Sequence, residues 1–252
     1  MSWGSWGKRL SGKEQTELIQ FCTDNGNITF DHADIYGDYT TEEEFGKAFK
    51  NSGIPRESVQ LISKCGIQLI GNSRNITVKH YNYSKEYIIW SAEQSLRKLK
   101  TDYLDTFLLH RPSPLMHPDE IAEAVSALKE SGKINQFGVS NFLPSQMELL
   151  STKTNISVNQ IEYSLSQAKA MQDGTLDYMF KNCIQPMCWS PLGKVFKEDN
   201  AQSKRVKNRL DQLTKKYDVS EETLLLSWIL RHPAAISPVI GTTSKQPVNN
   251  GL

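Results

Sequence analysis

The sequence predicts an α/β fold of the (β/α)8 TIM-barrel class, one domain over 1–252 with its first strand missing. Three observations predict it. Short, nearly continuous apolar runs alternate with longer amphipathic segments along the whole chain, which implies crossover connections and a parallel sheet covered on both faces. No G-x-G-x-x-G follows an early strand-like run, as an open dinucleotide-binding sheet would require. Polar and ionisable residues close many different runs, which is where a barrel gathers its active site.

The strand-like runs are NITFDHA (27–33), VQLISKC (59–65), LDTFLLH (104–110), NQFGVSN (135–141), SVNQIEY (157–163), IQPMCWS (184–190) and ISPVIGT (236–242). Between them, residues 12–24 set Leu18, Ile19, Phe21 and Cys22 on one helical face before the Asn25-Gly26 stop. Residues 84–99 open on Ser84 and carry Tyr87, Ile88, Ser91, Ser95 and Leu99 at helical spacing. A further helix starts at Pro118 and closes before Gly132, and two more lie at 202–217 and 220–231, the last opened by Ser220. Seven barrel strands are counted rather than eight. The first strand is therefore expected to precede Met1, because a missing stave exposes two unpaired edges.

The composition narrows the function. Lys and Arg total 29 against 28 Asp and Glu, a formal net charge of +1, which argues against a nucleic-acid binder or a polybasic membrane-surface protein. No apolar stretch approaches the ~18 residues of a spanning helix, and MSWGSWGKRL lacks a signal-peptide core. A soluble cytoplasmic protein is expected, without nucleic acid or membrane as partner. The cysteines, Cys22, Cys65, Cys183 and Cys188, form no CxxC pair, so neither a zinc ribbon nor a redox motif fits. Three of them lie in apolar segments and read as buried free thiols.

The strand ends carry the chemistry. DHADIYG places Asp31 and Tyr36 five apart across a strand-to-loop turn, SKCG presents Lys64, and HRP presents His110. A barrel mouth would set these four around one cavity. A phenol is a poor acid near neutrality, with a pKa of about 10. A neighbouring ammonium is expected to lower it, and a carboxylate keeps that ammonium charged. A Tyr tuned in this way can protonate a carbonyl oxygen as hydride reaches carbon, with His110 stabilising the developing oxygen charge. Each residue alone is weak evidence, since strand-end Asp and Tyr are commonly structural; the conjunction is specific.

DHADIYGDY, LISKCGI, LLHRPSPLMHPDE, GKINQFGVSNF, VNQIEYS, CWSPLGKVF and PVIGTTSK resemble, in order and spacing, the aldo-keto reductases, and most closely their YdhF-like bacterial branch. The resemblance runs from residue 1 to about residue 245. It implies an enzyme that reduces aldehydes or ketones to alcohols with NADP(H), NAD(H) being the alternative, and a small-molecule carbonyl compound as substrate. It assigns the general acid to Tyr36, its tuning to Lys64 and Asp31, and carbonyl binding to His110. It assigns the nicotinamide carboxamide to Ser140, Asn141 and Gln160, and the ring stacked on the nicotinamide to Trp189. Ser190, Leu192 and Gly193 fall on the pyrophosphate loop, and Gly241, Thr242, Thr243 and Ser244 on the segment around the 2′-phosphate; no metal is implied.

The sequence departs from the family pattern in three places. The family's opening strand is missing, and MSWGSWG looks like the stretch that comes after its Gly-containing cofactor loop. The usual Arg beyond GTTS falls on Pro247, leaving Lys245 as the nearby charge and weakening the case for NADP over NAD. The family's C-terminal helix is missing, since the closing QPVNNGL reads poorly as that helix. Two other functions stay open: a cofactor-binding regulatory subunit on the same barrel, as in the potassium-channel β-subunits, and a Schiff-base Lys64 of an aldolase-type barrel. Residues 66–83, with Tyr81 and Tyr83, together with Trp90, are the candidate substrate-facing positions, and the oligomeric state is unreadable.

Overall fold

The computed structural model describes residues 3–243, and the chain divides into two compact units, Met1–Ser157 and Val158–Leu252. In the first unit α1 (Gly12–Asp24) leads to β1 (Thr29–Asp31), the short turn α2 (Tyr36–Tyr39), α3 (Thr41–Ser52) and β2 (Gln60–Cys65). A small hairpin, β3 (Ile67–Gln68) with β4 (His80–Tyr81), precedes α4 (Lys85–Leu99) and β5 (Leu104–Leu109). The unit closes with α5 (Pro118–Glu130), β6 (Ile134–Ser140) and α6 (Pro144–Ser151). Its main strands are parallel in the order β1-β2-β5-β6. In the second unit β7 (Val158–Glu162), α7 (Thr175–Lys181), β8 (Gln185–Trp189), α8 (Ala201–Tyr217), α9 (Glu221–Leu230) and β9 (Ser237–Pro238) come one after another. Its strands are parallel in the order β7-β8-β9.

All seven expected strands therefore form, six within their sequence bounds and β6 beginning one residue earlier, at Ile134. The expected helices form too, because their ends are chemically marked. Ser11 accepts from the Glu14 backbone while Glu14 reaches back to Ser11, a capping box worth about 0.5–2 kcal/mol. Ser84 and Ser220 cap α4 and α9 with their side chains, and Pro118 opens α5. Four features carry no clear sequence signal: the β3–β4 hairpin, α3, α6 and α7. Among the described residues no helix is long and apolar enough to cross a membrane.

The first unit's core lies on β5 and β6. Phe107 and Phe137 are register partners, and both are fully buried with Leu108, Leu109 and Val139, each such side chain contributing roughly 1.5–3 kcal/mol. At the opposite end from the candidate site, Arg56 stacks on the Tyr103 ring and bonds the Asp105 carboxylate at 2.6 Å. Asp105 also accepts from the Leu61 N–H. Cys22, Cys65 and Cys188 are buried free thiols, as expected, whereas Cys183 is exposed.

Candidate active site

Register brings the first unit's candidate residues together. Asp31 pairs with Ile62, two residues before Lys64 on the same face of β2, and the His110 N–H bonds the Cys65 carbonyl across β2 and β5. The Lys64 ammonium is fully buried. It donates to both Asp31 carboxylate oxygens and to the His32 carbonyl, each at 2.7 Å, and stands 3.5 Å from the Tyr36 hydroxyl. The Tyr36 and His110 rings meet edge-on with centroids 5.8 Å apart. Asp31, Tyr36, Lys64 and His110 are thus one cluster in one unit.

The electrostatics differ in one respect from the sequence expectation. Burial raises the Tyr36 phenol above its ordinary pKa; the Lys64 charge pulls it down but does not outweigh the lost hydration. Burial is also the largest influence on Lys64 and works against its charge, yet Asp31 and Tyr36 together hold its pKa above the usual lysine value. His110 lies well below the ordinary imidazole range, first through burial and then through the Lys64 and Arg111 charges. It is neutral near pH 7, and its buried Nδ1 has no hydrogen-bond partner among the described residues. Arg111 therefore bears on the site through its charge, a role that sequence reasoning missed. The signal was its place beside His110 in HRP.

Immediately beyond Tyr36 the chain is strained. Gly37, Asp38 and Tyr39 have φ of 63°, 56° and 68°, a left-handed run that costs about 1–2 kcal/mol for each non-glycine member. Behind this turn two carboxyls are buried. Asp34 is pushed up to about 7 by burial and then by Glu42, with Arg74 and the Tyr87 hydroxyl opposing. Glu42, raised by burial, accepts from the Ser63 hydroxyl. Asp34 belongs to the DHADIYG motif itself; whereas the Lys64 ammonium binds the Asp31 carboxylate, Asp34 is buried and accepts from the Tyr87 and Ser91 hydroxyls.

Of the predicted cofactor residues, Ser140 and Asn141 lie in the first unit at the end of β6. The Asn141 amide donates to the Ser140 hydroxyl at 2.7 Å and to the His110 carbonyl at 3.5 Å, which ties this pair to the Asp31, Tyr36, Lys64 and His110 cluster. The second unit carries Gln160, buried on β7, and Trp189 at the end of β8. Next come exposed Ser190, then Leu192, packed against Val195, Leu210 and Leu225. The Gly193 N–H closes a turn onto the Ser190 carbonyl. Gly193 has φ of 59°, and a Cβ there would lie 2.1 Å from the Ser166 hydroxyl and 2.6 Å from that of Ser164. Only glycine lets the two hydroxyls pack this close to the turn, and a hydroxyl-lined turn fits an anionic group. Gly241, Thr242 and Thr243 lie just beyond β9. Ser244, like Lys245 and Pro247, lies outside the described residues.

The aldo/keto reductase family model matches residues 1–250, and the chain belongs to that family. It is 43% identical over 248 residues to the oxidoreductase YcsN of Bacillus subtilis, covering 96% of this chain and 83% of that protein. It is 40% identical to the oxidoreductase YdhF of Escherichia coli, covering 92% and 79% respectively. The solved structure of the thermostable aldo-keto reductase Tm1743, with the inhibitor epalrestat, superposes with a TM-score of 0.82 at 26% identity, covering 99% of this chain and 86% of that one. The fold class is accordingly the family's (β/α)8 barrel, with seven of its strands among the described residues.

Proposed function

We propose that the protein reduces an aldehyde or ketone to the alcohol with NADP(H) as hydride source, using Tyr36 as the proton donor. The observation that carries this reading is the buried Lys64 ammonium, bound by both Asp31 oxygens and standing 3.5 Å from the Tyr36 hydroxyl beside a neutral His110. When bound, the dihydronicotinamide supplies the hydride. The chain's own residues manage the oxygen. Neutral His110 can donate an N–H to the carbonyl oxygen without surrendering a proton, and it adds no charge to repel Lys64. Tyr36, held protonated by burial, gives up its hydroxyl proton as negative charge grows on that oxygen. Lys64 then faces the phenolate, and Asp31 keeps Lys64 charged.

Ser140 and Asn141 in the first unit, and Gln160 and Trp189 in the second, are assigned to the nicotinamide. Ser190, Leu192 and Gly193 are assigned to the pyrophosphate, and Gly241, Thr242, Thr243 and Ser244 to the 2′-phosphate. The hydroxyls of Ser164 and Ser166 against the Gly193 turn support the pyrophosphate assignment. The reading takes the chain as a single barrel domain, supported by one family match running from residue 1 to residue 250. Fluorescence titration with NADPH and NADH, then turnover of 4-nitrobenzaldehyde, tests it. Tighter NADPH binding and NADPH consumption that disappears in Tyr36→Phe are expected. Tighter NADH binding would overturn the cofactor assignment. Cofactor binding without turnover would point to a regulatory subunit.

A further inference from the structure

The strained turn beyond Tyr36 is held by a segment from another part of the chain. The Leu69 N–H donates to the Tyr39 hydroxyl at 3.0 Å. The Asn72 N–H and the Ser73 hydroxyl both donate to Asp38 Oδ2, at 3.0 and 3.3 Å. Gly71 passes so near that a Cβ there would lie 2.1 Å from Asp38 Oδ1. Arg74 completes the set. Its guanidinium carbon lies 3.7 Å from the Tyr39 ring centroid and 5.0 Å from that of Trp90. Its Nη1 donates to the Tyr87 hydroxyl at 3.1 Å, and that hydroxyl donates to Asp34 Oδ2 at 3.2 Å. One side chain thus touches the α2 turn and α4 and reaches, through Tyr87, a buried carboxyl two residues before Tyr36.

We propose that Arg74 is a positioning residue that latches the 69–74 segment onto the Tyr36–Tyr39 turn and so fixes where the Tyr36 hydroxyl stands. Consecutive left-handed non-glycine residues have no local preference for that conformation, so contacts from elsewhere must over-determine it. A planar guanidinium can stack on an aromatic face and donate in its own plane at the same time; an ammonium cannot do both. Lys98 also bonds the Tyr39 carbonyl, at 2.9 Å, but it anchors the turn to α4 alone and leaves segment 69–74 uncoupled. Because that segment lies inside the 66–83 excursion between β2 and α4, a ligand that displaces the excursion also loosens the turn bearing Tyr36. The proposal rests on Tyr36 being the proton donor.

Arg74→Met and Arg74→Lys in the full chain test it. In Arg74→Met, kcat with 4-nitrobenzaldehyde is expected to fall about ten- to a hundredfold, the effect of misplacing a reacting group by about 1 Å, while NADPH binding by fluorescence titration stays essentially unchanged. Amides 37–40 and 69–73 should exchange with solvent faster together, while those of β5 and β6 stay protected, and Arg74→Lys should not restore the wild-type kcat. Wild-type exchange at 37–40 in Arg74→Met would overturn the latch whatever the turnover. Faster exchange there with unchanged kcat would overturn the link to Tyr36, as would full rescue by Lys or a matching loss of NADPH affinity. A wild-type protein that turns over no carbonyl compound would sink the reductase reading, and the exchange measurement would still decide the latch.

Discussion

Lys64→Met is the most informative single perturbation, because Lys64 has both a structural and a chemical role. Its ammonium makes three 2.7 Å contacts, two of them to Asp31, whose side chain is only 11% exposed. Removing one member of a buried pair strands the other charge and costs about 3–5 kcal/mol. Removing both charges, in Asp31→Asn/Lys64→Met, leaves no orphan charge, so the two substitutions should couple by about 2 kcal/mol or more. The raised Lys64 pKa fixes the pH window. Its stabilisation is fully present below the unfolded lysine value and is lost only as pH rises through the higher folded one, so it is intact at neutrality. For the chemistry, unit charges 3.5 Å apart interact by about 1 kcal/mol in water and about 5 kcal/mol at an effective dielectric of 20. At 1.36 kcal/mol per decade, Lys64→Met should lose roughly ten- to several-thousand-fold in kcat. Urea unfolding at pH 7.5 and NADPH consumption read the two effects. A single variant within about 1 kcal/mol of wild type, or a double variant that is strictly additive, would refute this account of the pair.

Other predictions concern buried charge and backbone. Asp34, raised to about 7, contributes stability that is present below the unfolded carboxylate pKa and lost as pH rises towards its folded value. The cost of Asp34→Asn should therefore shrink by up to about 1.36 kcal/mol per pH unit between about pH 4 and 7; a pH-independent difference in urea midpoints would contradict this. Gly193→Ala should destabilise by about 2 kcal/mol or more and weaken NADPH binding, because both φ and the Ser164 and Ser166 hydroxyls oppose a Cβ. Gly26→Ala, left-handed but with open space around it, should cost only about 1 kcal/mol and leave binding intact. Equal melting shifts in the two alanine variants would show that crowding at Gly193 plays no part.

Whether a feature is legible in the sequence depends on how it is encoded. The main strands are continuous apolar runs ending in polar residues, and Ser11, Ser84, Pro118 and Ser220 mark helix starts locally. By contrast, α3 begins in the polar run TTEEE, of which Thr41 and Glu42 are themselves buried, and its apolar residues Phe45, Ala48 and Phe49 come only afterwards. The strands of the β3–β4 hairpin are two residues each, too short to show a period. Asp31, Tyr36, Lys64 and His110 were legible because strand ends of a barrel converge and ionisable residues there stand out. The net rise of the Tyr36 pKa was not, because burial outweighs the visible neighbouring ammonium. Tyr39 in a left-handed conformation and Arg74 wedged between Tyr39 and Trp90 depend on contacts between segments far apart in the chain, and composition carries no trace of them.

The central claim is that hydride reaches the carbonyl carbon while Tyr36 protonates the oxygen. Reduction of 4-nitrobenzaldehyde with NADPH carrying deuterium at both nicotinamide C4 positions tests it most directly, with the alcohol analysed by mass spectrometry for wild type and Tyr36→Phe. The wild type should place one deuterium on the former carbonyl carbon, and Tyr36→Phe should lose about 10²–10⁴-fold in rate while remaining folded. An alcohol without carbon-bound deuterium, or a Tyr36→Phe enzyme at the wild-type rate, would contradict it.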